Sequence, residues 1–166
     1  MKELKFNELS RELLEQLTKG AFLTVKDKNN KLNTMTIAWG TLGYMWMKPV
    51  FMAMVRNTRY TFPLIENSDE FTVSFPLKGS LSKELMVCGT KSGKDIDKFK
   101  ECNLEVIELK NFTTPVIAGC DLHLLCKILH KQALDPQFMC PEVLSIYDKD
   151  YHSLYFGELI HILLKE

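Results

Sequence analysis

Apolar residues recur at helical spacing near the start of the chain, where Leu9, Leu13, Leu14 and Leu17 follow Asn7 and precede Gly20. A polar cap, an apolar stripe and a glycine stop predict one amphipathic helix. Beyond it the pattern changes to β-branched and apolar runs. Ala21 to Asp27 and Leu32 to Trp39 flank Lys28-Asn29-Asn30-Lys31, a polar tetrapeptide whose asparagines tolerate positive φ, and this reads as a hairpin. In its second arm Thr34, Thr36 and Ala38 alternate with Met35, Ile37 and Trp39. Hydroxyls line one face and large apolar groups the other, so such a strand can serve a core and a ligand at once.

After a predicted loop from Gly40 to Pro49, Val50 to Val55 is a wholly apolar strand that stops at Arg56-Asn57-Thr58-Arg59. Thr58 is expected to cap a short helix from Tyr60 to Glu66, with Pro63 in the first turns where a missing N–H costs least. Phe71 to Phe75 reads as a strand closed by Pro76, Ser80 to Val87 as a helix ended by Gly89, and Ile96 to Lys100 as a second short helix. Leu104 to Leu109, Asp121 to Gln132 and Tyr151 to Leu164 complete the predicted strands, and Leu134 to Asp150 is a long excursion between the last two. Strands joined by turns or short helices, without βαβ spacing, predict an α+β chain, mainly antiparallel β, with a six- or seven-stranded barrel and short flanking helices. No repeat or linker divides residues 1–166, so one domain is expected.

Charge narrows the function. Lys+Arg and Asp+Glu both number 21, and a net charge of +0 provides no field to draw a polyanion, which argues against nucleic acid as a partner. The longest uncharged stretch, Leu32 to Met47, is shorter than the roughly 18 residues of a bilayer crossing and contains Asn33, Thr34, Thr36 and two glycines. No membrane span is expected. The first residues, Met1 to Lys19, alternate charges with leucines and lack an apolar signal region, so a cytoplasmic location is expected. Five cysteines form no C-x-x-C pair and are expected to be free thiols; His123, His130, His152 and His161 are too dispersed to predict a metal site.

Three segments carry candidate chemistry. Arg56-Asn57-Thr58-Arg59-Tyr60-Thr61 joins an apolar strand to a helix start, where guanidinium groups, hydroxyls and backbone N–H groups would suit a phosphate monoester; a solvated cap with surface arginines explains the same residues. Cys88-Gly89-Thr90-Lys91-Ser92-Gly93-Lys94-Asp95 superficially echoes a P-loop. Only three residues separate its glycines, however, and Asp95 stands where a Ser or Thr would hold magnesium. That leaves a close backbone approach to a ligand, or an ordinary turn. Between Trp39 and Phe62 lie Tyr44, Met45, Trp46, Met47 and Tyr60, flat or soft side chains suited to a planar ligand or to an interface.

In this order, the segments resemble the flavin reductase-like family of FMN-binding split barrels, especially its flavoredoxin-like branch. The matching runs are Asn33 to Gly40, Lys48 to Phe51, Val55 to Thr61, Ser68 to Ser74, Cys88 to Phe99, Asp150 to His152 and Tyr155 to Glu158. The resemblance implies a Greek-key split barrel that forms a homodimer and binds FMN non-covalently near the subunit interface. Asn33, Thr34, Met35, Thr36, Ile37 and Ala38 would face the ring system and ribityl chain. Arg56, Thr58, Arg59, Tyr60 and Thr61 would hold the phosphate, and Cys88, Gly89, Ser92, Gly93 and Lys98 would close over the flavin. His152 would border the nicotinamide side as a candidate catalytic group. The implied activity is transfer of hydride from NADH or NADPH to bound flavin and on to an acceptor; the alternative is an electron carrier reduced by a redox protein partner. In either case the hydride chemistry belongs to the cofactor. Two departures stand out, Cys88 and the bulky Met45-Trp46-Met47, and substrate access is expected to differ from that of a free-flavin reductase.

Overall fold

Strands buried along much of their length build most of the molecule, which is described here by a computed structural model of residues 1–166. In chain order the elements are β1 (Lys2–Glu3), α1 (Ser10–Leu17), β2 (Ala21–Lys26), β3 (Leu32–Ile37), β4 (Gly40–Met45) and β5 (Lys48–Arg56). They continue with α2 (Thr61–Glu66), β6 (Glu70–Phe75), α3 (Ser82–Thr90), α4 (Lys98–Glu101), β7 (Val106–Leu109) and β8 (Phe112–Ile117). The chain then forms β9 (Leu122–Ala133), a 3-10 turn at Pro136–Phe138, α5 (Pro141–Leu144) and β10 (His152–Leu164).

Seven strands run in the order β3-β2-β6-β9-β10-β5-β4, all neighbours antiparallel, and β1 adds to β10. The long β9–β10 pair is the spine, and the sheet curls around a core that includes Leu23, Met35, Phe51, Val55, Phe71, Val73 and Tyr155. It does not close, because β3 and β4 are its two ends. On the other face of β2, Phe22 joins Leu85, Cys88, Leu104, Ile117 and Cys120 in a second cluster, which seats α3 against the sheet. The class is the mainly antiparallel α+β split barrel expected. No helix is long and apolar enough to cross a membrane.

Several boundaries differ from the sequence pattern. The Gly40 to Pro49 segment is not a loop: β4 pairs with β5 through a two-residue turn at Trp46 and Met47, with φ of 52° and 60°. That is the left-handed geometry a tight hairpin requires, adopted without the Gly or Asn that normally signals it. The β8 strand was hidden by Pro115, which fits because β8 pairs only with β7 in a two-stranded sheet. Asn7 does not cap α1; Leu9 occupies the cap in the left-handed region at φ 60°, while Gly20 at φ 117° does follow the helix end. Nor does Thr58 cap α2, which starts after Tyr60. Gly89 lies inside α3 rather than ending it, and Asp97 caps α4 by accepting from the Phe99 and Lys100 N–H groups.

Gly157 sits at a register shift in β10, and a Cβ there would lie 2.6 Å from Cys126 Cβ and 2.7 Å from Phe71 Cζ. Gly157→Ala is therefore expected to lower stability by roughly 1 to 3 kcal/mol through overpacking, read as a lower denaturant midpoint. A second expectation concerns His123, fully buried with Nδ1 3.0 Å from Ser74 Oγ and Nε2 without a partner. Burial pushes its pKa down from 6.5 to about 4; Lys165 acts in the same direction and Asp121 opposes it. The unfolded chain thus binds the proton first, so this residue's contribution is complete above about pH 6.5 and is lost as pH falls toward 4. Denaturation across that window is expected to show stability falling with acid, by on the order of 3 kcal/mol from this residue. His123→Gln should shallow the dependence, with His152 supplying the remainder in the same direction.

Candidate functional site

The curled sheet opens beside β3. The corner at Ala38 and Trp39 turns the chain away from β3 into β4, so the outer edge of β3 has no strand partner and faces Met54 and Arg56 of β5 across a gap. Unpaired edge groups are available to a ligand there. A small cavity of about 150 Å³ fills the gap, walled by Met35, Ile37, Ala38, Trp39 and Met54, with Arg56, Arg59 and His152 at its rim. A second, of about 120 Å³, continues from it and shares Met35 and Arg59. This compartment is polar and cationic: Thr58, Arg59, Thr61, Thr90, Lys91, Ser92 and Lys98 converge on it.

Local packing explains the convergence. Asn33 Nδ2 donates to Thr61 Oγ1 at 2.8 Å, pinning the start of α2 to β3, and Thr36 Oγ1 donates to the Leu85 carbonyl at 2.6 Å, pinning α3. The segment 91–97 then folds back over β3, close enough that a Cβ on Gly93 would collide with Asn33 Oδ1 and lie 2.7 Å from Tyr60 Cδ1. Only glycine fits that approach. Lys98 is buried, with Nζ donating to the Cys88 carbonyl at 2.7 Å, and Arg59 Nη1 donates to the Gly89 carbonyl at 3.2 Å. Burial lowers the Lys98 pKa, and the neighbouring Arg59 adds to the effect. Two cations lining one compartment are best compensated by an anion within it.

Of the residues singled out in the sequence, Met35, Thr36, Ile37, Ala38, Arg56, Thr58, Arg59, Tyr60, Thr61, Cys88, Ser92, Gly93, Lys98 and His152 line these compartments, whereas Asn33 and Gly89 line neither and instead contact residues that do. Four need separate description: Thr34 lines neither compartment, Thr58 and Arg56 line them but are engaged by Asp150, and Cys88 lines the cationic one from within a helix. Thr34 is fully buried, accepting from Thr24 Oγ1 at 3.1 Å and donating to the Leu23 carbonyl at 3.2 Å, so the cross-strand threonine pair satisfies its hydroxyl. Thr58 Oγ1 donates to Asp150 Oδ2 at 2.7 Å, and Arg56 Nη1 donates to the Asp150 carbonyl at 3.0 Å with its carboxylate 3.8 Å away. Asp150 therefore neutralises the Arg56 end of the expected phosphate cluster and leaves Arg59 and Lys98 as its cationic centre. Cys88 is a buried helix residue rather than a loop thiol; burial pushes its pKa up to about 12, so it stays protonated.

His152 closes the apolar compartment. Its Nδ1 lies 3.0 Å from Tyr147 Oη and its ring 5.2 Å from that of Trp39. Burial, then the Arg56 charge, lowers its pKa to about 4, so the imidazole is neutral at pH 7. Trp39, Met54, Tyr147 and Asp150 were not among the sequence candidates. Met54 alternates in burial with Ala53 and Val55, but a run of apolar residues hides that alternation. Asp150 and Tyr147 come from the excursion, whose return to β5 no local pattern announces.

The flavin reductase like domain model matches residues 17–166, and the chain belongs to that family. An uncharacterized protein of Archaeoglobus fulgidus is 26% identical over 132 residues, covering 80% of this chain; the match spans 65% of that relative's length. Flavoredoxin from Methanosarcina acetivorans superposes with a TM-score of 0.68 at 25% identity, covering 89% of this chain and 68% of that one. An FMN-binding protein from Thermus thermophilus, solved with p-hydroxybenzaldehyde, gives a TM-score of 0.68 at 18% identity over 88% of this chain and 71% of that one.

Gly93→Ala is expected to lift segment 91–97 off β3 while leaving the distant β9–β10 spine intact. Limited trypsin digestion should then cut faster at Lys91 and Lys94, with the far-UV spectrum of the sheet unchanged.

Proposed function

We propose that the chain binds FMN in the paired compartments and acts as a flavin oxidoreductase, accepting hydride from NADH or NADPH and passing electrons to an acceptor. One observation carries this reading: along the free edge of β3, an apolar compartment and a cationic compartment share Met35 and Arg59, an arrangement that suits a ligand with a flat ring at one end and a phosphate at the other. Neither reaches about 300 Å³ alone, so the ligand would span both and remain partly exposed.

When bound, FMN supplies the hydride and electron exchange itself. Arg59, Lys98, Ser92 and Thr61 would hold the phosphate, Thr36 and Asn33 would flank the chain between the ends, and Met35, Ile37, Ala38 and Met54 would seat the ring. Gly93 permits segment 91–97 to cover the ligand and exclude water. His152, neutral and oriented by Tyr147, presents an uncharged polar edge to the ring compartment. In that neutral state it would accept a proton rather than give one up.

A second reading, a carrier reduced by a protein partner, draws on Trp39, Tyr147 and His152, which crowd the approach to the ring compartment. We also propose a homodimer, since Tyr44, Met45, Trp46 and Met47 project at the β4–β5 turn with Met47 88% exposed.

Purified protein is expected to be yellow or to bind added FMN near one per chain, and absence of both would overturn the reading. Arg59→Ala and Lys98→Met should each weaken FMN by about tenfold or more while changing riboflavin far less, because only FMN carries the phosphate. Anaerobic mixing separates the two activities: bleaching by NADH or NADPH supports the reductase, and bleaching only by dithionite supports the carrier.

A further inference from the structure

Two thiols that the FMN reading leaves without a role meet behind the cationic compartment. Cys88 on α3 is buried, and the half-buried Cys102 follows the last turn of α4. Lys98 and Cys102 are four residues apart and so share the face of α4 that meets α3: the Cys102 N–H donates to the Lys98 carbonyl at 3.1 Å, and Lys98 Nζ reaches the Cys88 carbonyl. Both sulfurs pack into the cluster around Phe22 and Ile117, where the two thiols hydrogen-bond to each other. Of the other cysteines, Cys120 and Cys126 are fully buried and Cys140 is exposed on the excursion.

We infer that Cys88 and Cys102 form a reversible disulfide that fastens the cover of the cationic compartment. The chain between them, residues 89–101, includes Ser92, Gly93 and Lys98, which line that compartment. A bond between its ends closes this stretch into a covalent loop and restricts how far segment 91–97 can swing off β3. The backbone has little to adjust: sulfurs already in contact close to about 2.05 Å, and α4 spans only four residues. The bond itself stands apart from the FMN reading, whereas its effect on a ligand rests on that reading.

The oxidant is hydrogen peroxide, which a reduced flavin releases on meeting dioxygen. Cys102 is the sulfur it reaches, because Cys88 is enclosed. The Cys102 thiolate attacks one peroxide oxygen, the O–O bond breaks and water leaves, giving a sulfenic acid. Cys88 sulfur then attacks Cys102 sulfur, the S–O bond breaks, and a second water carries off the Cys88 proton. Two thiols thus lose two electrons and one peroxide becomes two waters. Burial raises both thiol pKa values and makes the reaction slow, while the Lys98 charge opposes burial at each sulfur and the hydrogen bond from Cys88 favours the thiolate at Cys102.

The test treats the reduced full chain with hydrogen peroxide, alkylates the remaining thiols, and digests the denatured protein with trypsin without reductant. The expected product joins Glu84–Lys91 to Glu101–Lys110, lighter than the two peptides by two hydrogens and separated by dithiothreitol. On the native protein, oxidation should slow limited trypsin cutting at Lys91 and Lys94, and the release of bound FMN, each by about threefold or more. Cys102→Ser given the same peroxide should keep both rates within about twofold of the reduced wild type, which also shows that it folds. A sulfenic or sulfinic acid at Cys102 with Cys88 still free, a bond through Cys120 or Cys140, or a Cys88–Cys102 bond that leaves cutting or FMN release unchanged overturns the inference and leaves the FMN reading intact. Failure of FMN to bind the reduced wild type overturns that reading alone, and the peptide map and cutting rates then decide the inference.

Discussion

Backbone pairing runs out at β3. The two residues Ala38 and Trp39 turn the chain so sharply that β4 takes β5 as its partner, and the strand that would have sealed the barrel is missing. Everything assembled at the site follows from that vacancy in the ladder. The free edge gives a ligand backbone groups that a closed barrel would have consumed, and the space beside it admits the start of α2, the C-terminal half of α3 and segment 91–97. Asn33 and Thr36, side chains of this same strand, are what fasten those elements in place.

Charge is partitioned along the seam with equal economy. Arg56 and Arg59 are three residues apart, yet one is matched by Asp150 and the other is directed to the Gly89 carbonyl beside the buried Lys98. A protein with an overall balance of +0 thus carries a local excess of cation at one end of a cleft and a near-neutral aromatic surface at the other. Burial of Lys98 makes its charge expensive, so the site is poised toward an anionic group more strongly than an equivalent surface lysine would be.

Much of this was legible in the chain. The Lys28 to Lys31 turn, the apolar β5 and the long β9 and β10 announce an antiparallel fold, and the basic segment at residues 56–61 falls where the two compartments meet. What could not be read was whatever depends on distant partners. Thr34 looks equivalent to Thr36 in the alternation, and only the neighbouring Thr24 on β2 turns its hydroxyl inward to a core bond. Thr58 resembles a helix cap until Asp150, 92 residues away, claims it. Trp46 and Met47 make a tight turn from residues that disfavour it, a conformation imposed by the pairing on either side.

The elements that shape the cleft also do a second service. An uncapped strand edge can template the addition of another extended chain, and globular proteins shield such edges with helices, loops or charge. Here α2, α3 and α4 all pack against β3, and segment 91–97 lies over it, so the cover of the site is at the same time a guard against edge-to-edge aggregation. The loop is thereby constrained from two directions, because loosening it to enlarge the pocket also exposes an adhesive strand edge.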